Sequence, residues 1–235
     1  MNSPLPSRLA ENLQAVQERI GSAAAKSGRT ADQVTLVGVT KYVDVETTRA
    51  LLELGLTELG ESRPQQLWSK AEALSDHPVR WHMIGNLQRN KAKRTIPLLS
   101  MLHSGDSLRL LQAASDSVSP GQALKALLEV NISGDANKHG FGPEDLLRDL
   151  PEIAKTPHIQ VIGLMAMGSL AGGREGTRRD FASLREFRDR LRGECPPEIS
   201  LDQLSMGMSD DYDIAIEEGA TMVRVGSALF EGMDD

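Results

Sequence analysis

Cysteine is almost absent from this chain: Cys195 stands alone among 235 residues, so no intrachain disulfide can form. That excludes a small disulfide-held scaffold and fits a reducing, cytoplasmic setting. Positive charge is also in short supply. The 26 Lys and Arg are outnumbered by 33 Asp and Glu, a net charge of −7, which argues against nucleic acid or an anionic membrane as the main partner. Long apolar runs are missing too. The opening stretch, MNSPLPSRLAENLQ, lacks the uninterrupted apolar core of a signal peptide, and no run elsewhere is long enough to span a bilayer. What remains is the ordinary apolar and charged content of a soluble globular protein. The length suits one domain over residues 1–235.

Along the chain the pattern alternates. An initial helix is expected, with Ser7 as its cap, Leu9, Leu13, Val16 and Ile20 on one face, and Gly28 as its end. Eight short apolar runs follow and read as strands: Val34–Val39, Thr57–Gly60, Val79–Ile84, Ser100–His103, Leu124–Ile132, Ile159–Ala166, Leu201–Ser205 and Met222–Val225. Helical patterns separate them, near Val45–Leu54, Pro64–Leu74, Gln88–Leu98, Ser107–Ser117, Pro143–Ala154, Thr177–Leu191 and Ser209–Glu218. Such alternation requires parallel strands joined by right-handed crossovers. Eight repeats point to a closed α/β barrel of the (β/α)8 TIM type, with an extra N-terminal helix, rather than to an open doubly wound sheet. No linker divides the chain. The basic stretch Gly172–Arg179 reads as a solvated loop feeding a helix.

Barrels of this type place their sites at the carboxyl ends of the strands, so the residues that terminate each run matter most. Lys41 follows the apolar run VTLVGV. A lysine at the rim of a low-dielectric pocket loses solvation for its charged form, and the neutral amine so favoured is what carbonyl addition needs. Alone, the same residue suits a lysine snorkelling from a strand end into water. The last two runs add to it, because loops after strands seven and eight of these barrels frequently bind phosphate. LSMGMSDD offers the Ser205 hydroxyl and the permissive backbone of Gly207, with Ser209 as the expected cap of the next helix. MVRVGSALF offers Gly226, Ser227 and a helix start, and Arg224 shares a strand face with Gly226. Together with the rim lysine they suggest a phosphorylated carbonyl compound.

The segments LVGVTKYVD, LGESRPQQL, RWHMIGNLQRNKAKR, LLEVNISGDANKHGF, IGLMAMG and LSMGMSDDYDIAIEEGATMVRVGSALFEG run in order across nearly the whole chain. Together they resemble the pyridoxal phosphate homeostasis family. The resemblance implies a single barrel related to the N-terminal domain of alanine racemase, without that enzyme's second β-domain. It implies pyridoxal 5′-phosphate (PLP) held as a covalent aldimine on Lys41, with Arg224 facing the pyridine nitrogen. Phosphate contacts would come from Ser205, Gly226 and Ser227, with backbone near Met206 and Gly207, and His82 and Met165 match pocket positions. No metal is implied. PLP-dependent apo-enzymes are the expected recipients, and a monomer is expected because the racemase's dimer-building domain is missing. The family's Gly-Glu-Asn reads Gly60-Glu61-Ser62 here, so a hydroxyl stands where the family has an amide. Lys138 matches a family lysine, and its role is open.

Within that resemblance the residues restrict the chemistry. Guanidinium stays protonated and only donates, so Arg224 would leave the pyridine nitrogen unprotonated, and such a ring is a poor electron sink. Racemisation needs acid–base groups on both faces of the substrate α-carbon. The chain has two tyrosines. Tyr42 is expected to point away from the Lys41 pocket if the strand continues, and Tyr212 to pack within a helix. A PLP carrier without catalytic residues is therefore expected. A weak alanine or serine racemase is the alternative, and a sugar-phosphate enzyme working through a lysine imine is a third reading.

Overall fold

A computed structural model describes residues 4–135, 139–168 and 173–233. Helix α1 (Pro4–Lys26) begins before Ser7, which lies inside the helix rather than capping it. Its end is as expected. Gly28 takes φ 70°, and the Gly28 and Arg29 amides bond back to Ala25 O and Ala24 O at 3.1 and 2.9 Å, the paired closing bonds of a Schellman end. Leu9, Leu13, Val16 and Ile20 are buried, and each contributes about 1.5–3 kcal/mol by leaving water. The Asn12 amide donates to Leu229 O and Glu231 O, both at 3.0 Å, tying α1 to the segment that follows the last strand.

Eight strands then alternate with helices: β1 (Thr35–Val39), α2 (Val45–Glu53), β2 (Glu58–Glu61), α3 (Pro64–Ala73), β3 (Arg80–Met83), α4 (Arg89–Thr95), β4 (Leu99–Gly105), α5 (Leu108–Ser115), β5 (Leu124–Glu129), α6 (Pro143–Ala154), β6 (Ile159–Met165), α7 (Gly173–Arg192), β7 (Gln203–Ser205), α8 (Tyr212–Glu217) and β8 (Met222–Val225). They close into one parallel barrel in chain order, with β1 paired to β8. The expected (β/α)8 barrel with an added N-terminal helix is the observed fold.

Several boundaries differ from those read in the sequence, each for a local reason. β5 stops at Glu129 rather than Ile132, because the chain turns there to pair with a later segment. Phe141 N–H donates to Glu129 O at 2.8 Å, and Asn131 N–H to Phe141 O at 2.9 Å. Gly140, at φ 107°, makes this approach possible: a Cβ there would lie 2.8 Å from Glu129 O. α4 gives way to a one-turn helix, Ile96–Leu98, that contains Pro97. Gly173–Arg179, expected as loop, opens α7 instead, and residue 172 lies outside the described residues. α8 starts at Tyr212 with Asp211 at its cap, so Ser209 is left outside the helix.

Strand alternation divides the barrel into two layers. Leu59, Met83, Leu102, Leu128, Leu164, Leu204 and Val223 join the core beneath the helices, whereas Met101, Leu127, Met165 and Met222 form a separate apolar cluster. Two positions beyond Met101, Leu127 and Met222 on the same strands stand His103, Glu129 and Arg224, all buried. The interior thus changes from apolar to ionisable towards the carboxyl ends of the strands.

Candidate functional site

Lys41 sits in the turn just past β1, half-buried. Among the described residues its ammonium has no hydrogen bond or ion pair, and its one aromatic contact is the Tyr42 ring, 4.8 Å away. Tyr42 is 83% exposed. The strand does not continue to Tyr42, since β1 ends at Val39, so strand alternation is not what orients this ring. Behind Lys41 the chain is held from the helix side. Lys70 Nζ donates to Thr40 O at 2.5 Å and to Glu61 Oε1 at 2.6 Å. The Thr40 hydroxyl donates to the same carboxylate oxygen at 2.7 Å, while Glu61 Oε2 is buried without a partner. Sequence reasoning missed Lys70. Its signal was a lysine in register with Leu67 and Leu74 on the apolar face of α3, where a charge must find a partner.

Arg224 is buried at the end of β8. Its NH1 donates to Ser205 Oγ at 2.5 Å and its NH2 to Ala166 O at 3.1 Å. Burial lowers its pKa to about 10, against the opposing pull of Glu129 and Asp211, so it remains a cation at neutral pH. Ser205, expected at a phosphate, is fully buried and bonds to Arg224 and His103 instead. His82 is also buried, 2.7 Å from the His103 ring nitrogen. Met165 lies within the apolar cluster beneath this layer.

A different hydroxyl occupies the turn after β8. Ser209 Oγ accepts from Gly226 N–H at 3.1 Å and from Ala228 N–H at 3.4 Å, with the exposed Ser227 between them. Both amides converge on one oxygen, the geometry that an oxyanion cradle requires, and in this structure the Ser209 hydroxyl fills it. Gly207 takes φ 92°, and a Cβ there would lie 2.5 Å from Ala215 Cβ, so only glycine lets this loop pack on α8. The Met206 side chain points into the helix layer, while its N–H continues the β7–β8 ladder to Met222 O at 3.2 Å. Ser62 is pressed against Gly85, whose Cβ would lie 2.4 Å from Ser62 O. Lys138 lies outside the described residues.

Glu129 is the carboxyl of this layer. Its pKa is pushed up to about 7 by burial and by Asp106, with Arg224 and His139 pulling the other way. A carboxyl whose pKa is raised on folding holds a proton that the unfolded chain has lost. Its cost is absent below the unfolded pKa near 4.5, grows as pH rises from there to about 7, and is complete above that. The size is about 3 kcal/mol. Glu129→Gln should remove it, so the stability difference between variant and wild type, from urea unfolding at pH 4.5 and pH 8, should move by about this amount in favour of the variant. An equal difference at both pH values would show that Glu129 does not titrate in this range.

The class of barrel is set by a family model: that of the alanine racemase N-terminal domain matches residues 7–234. An alanine racemase of Clostridium difficile shares the fold, with a TM-score of 0.74 at 17% identity over 95% of this chain and 56% of the racemase. Full-length relatives are more similar in sequence. The pyridoxal phosphate homeostasis protein of Aquifex aeolicus is 38% identical over 94% of this chain and 96% of its own length; the human one is 34% identical, over 94% and 86%. PipY of Synechococcus elongatus, a structure with PLP bound, gives a TM-score of 0.83 at 30% identity over 94% of this chain and 99% of PipY. The chain belongs to the pyridoxal phosphate homeostasis protein family.

Proposed function

We propose that this protein binds PLP at the carboxyl end of its barrel and stores or delivers it without turning over amino acids. One arrangement carries the reading. Residues 224–228 present a buried guanidinium and an oxyanion cradle within a single turn, and β1, which leads to Lys41, is the strand paired beside them. When bound, PLP brings an aldehyde open to a primary amine, a ring nitrogen and a phosphate.

The residues suit those groups. Lys41, free of any carboxylate among the described residues, offers its amine to the aldehyde. Arg224 donates towards the ring nitrogen, and the Gly226 and Ala228 amides with the Ser209 and Ser227 hydroxyls hold the phosphate. Ser205 acts through Arg224 rather than at the phosphate. The family membership and the PLP-bound PipY support PLP as the ligand.

The carrier role is favoured by where the tyrosines lie. Tyr212 is buried, with the Arg19 guanidinium 4.7 Å from its ring centre, and Tyr42 sits beside the lysine itself, so neither supplies an acid–base group on the opposite face of a substrate. The protein acts in a reducing cytoplasm as a single chain and hands PLP to apo-enzymes. The test is to load the protein, mix it with an apo-form of a PLP-dependent enzyme, and follow both transfer and the enantiomers of added alanine and serine. Stoichiometric transfer with no change of enantiomer is expected. Enantiomer exchange that disappears with Lys41→Ala would make the protein a racemase instead.

Removing a cradle group should weaken retention. Ser209→Ala should cost about 1 kcal/mol, and Arg224→Gln on the order of 1.5–3 kcal/mol because a charged donor is lost. Equilibrium dialysis against PLP measures both. Unchanged affinity in the two variants would remove this account of the site.

A further inference from the structure

Arg224 heads a chain of hydrogen bonds that crosses the barrel interior from β8 to β2. Its NH1 donates to Ser205 Oγ at 2.5 Å, which lies 2.9 Å from His103 Nδ1. His103 Nε2 is 2.7 Å from His82 Nδ1, and His82 Nε2 is 2.6 Å from Glu58 Oε2. Glu58 also pairs with Arg80, which is exposed to solvent.

The proton positions follow by elimination. Guanidinium only donates, so Ser205 accepts from it. Ser205 is fully buried, and its own proton needs an acceptor. The remaining partner of its hydroxyl is His103 Nδ1, so that nitrogen accepts. A neutral His103 then carries its proton on Nε2 and donates to His82 Nδ1. His82 in turn carries its proton on Nε2, directed at the Glu58 carboxylate. Every donor points the same way, from arginine to glutamate.

The electrostatics agree with this assignment. Burial, with the Arg224 charge added, holds His103 well below the usual imidazole range, so the ring is neutral. Burial pushes the Glu58 carboxyl up, but the His82 hydrogen bond and the Arg80 charge bring it below the usual carboxylate range. Glu58 is thus an anion able to anchor the far end.

We propose that His103, His82 and Glu58 are positioning residues for the cofactor's ring nitrogen: their one-way chain turns the Ser205 lone pairs onto Arg224 and so fixes the guanidinium plane that faces the ring. The proposal rests on Arg224 as the donor to that nitrogen. With NH1 held by Ser205 and NH2 by Ala166 O at 3.1 Å, the side chain loses the rotation that would carry its remaining donors away from the pocket. Without His103 the Ser205 hydroxyl is free to turn, and one of the two anchors is lost.

Two measurements test this. Nitrogen-15 NMR of the imidazole rings, on protein free of PLP, should show His82 and His103 both neutral and both protonated at Nε2 near pH 7. A cationic ring, or a proton on His103 Nδ1, would overturn the chain. The second measurement compares affinity for PLP with affinity for 1-deazapyridoxal phosphate, in which carbon replaces the ring nitrogen. The wild type should prefer PLP by about tenfold, the effect of one hydrogen bond. His103→Leu should abolish the preference while leaving affinity for the deaza compound unchanged, and Glu58→Gln should reduce it. His103→Gln, whose amide accepts at one end and donates at the other, should restore much of it. Equal losses for both ligands would mean that the histidines only support the fold, and a preference that survives His103→Leu and Glu58→Gln would overturn the role of the chain alone. No preference in the wild type would overturn the ring-nitrogen reading of Arg224 and the positioning role with it.

Discussion

Replacing Lys41 by alanine should abolish covalent capture of PLP. Borohydride reduction of the loaded wild type, followed by peptide mass mapping, should place a pyridoxyl group on Lys41, and the variant should carry none. The argument turns on which amines are available. Lys70 is close by in the fold, yet its ammonium is buried and held by Glu61 Oε1 at 2.6 Å and Thr40 O at 2.5 Å. A nitrogen engaged in that way has neither the free lone pair nor the room to add to an aldehyde. Lys41 has no such partner among the described residues and stands in the turn just past the carboxyl end of β1. The proposed phosphate contacts do not involve Lys41, so the variant should still bind PLP reversibly, without the lysine's visible absorbance. A reduced adduct at another lysine of the wild type would sink this assignment.

The second large effect concerns stability. Lys70→Met should destabilise the protein by about 3–5 kcal/mol, the usual consequence of leaving one member of a buried ion pair alone. For a domain of this size that lowers the melting temperature by on the order of 10 °C. Glu61 is fully buried, and its second oxygen already lacks a partner, so the carboxylate has little to fall back on. The pairing can be checked by removing both charges. Glu61→Leu combined with Lys70→Met should recover most of the loss, because an apolar pair avoids the desolvation that the ions incur. Urea unfolding of the two single variants and the double variant gives the coupling directly. A loss below about 1 kcal/mol for Lys70→Met would show that Glu61 finds another partner. The same variant should blur the position of Lys41, since Lys70 also holds the carbonyl of the preceding residue.

The barrel was legible because each of its repeats writes its own period: an apolar run for a doubly buried strand, then a striped helix. What escaped depended on partners distant in the chain. β5 ends where Phe141 takes over its hydrogen bonds, and nothing within residues 124–132 announces that. Ser209 looks like a helix cap by its place before two acids, yet the fold spends its hydroxyl on amides after β8. Lys41, Arg224, Gly226 and Ser227, which the proposed site uses, are legible as candidates because each ends or follows an apolar run. Ser205 was grouped with the phosphate residues, although alternation along β7 aims it at Arg224 and sends Met206 towards the helices. His103 and Glu58 were harder still. Nothing in their own strands sets either apart, and the meaning of each lies in a neighbour on another strand. Lys70 alone left a local trace, as a charge on an apolar stripe.

The pairing of β1 with β8 also has a bearing on how the protein is made. Lys41 follows the first strand to leave the ribosome, and the proposed anion cradle closes around the last. A nascent chain that exposes Lys41 alone has an amine that any aldehyde meets and leaves. On the proposed site, retention would start only when β8 closes the ring and brings the cradle alongside, a long-range contact of the kind that forms late. Loading would then be an event of the finished fold, and a chain stalled before its eighth strand would leave the cofactor in the cell's free pool.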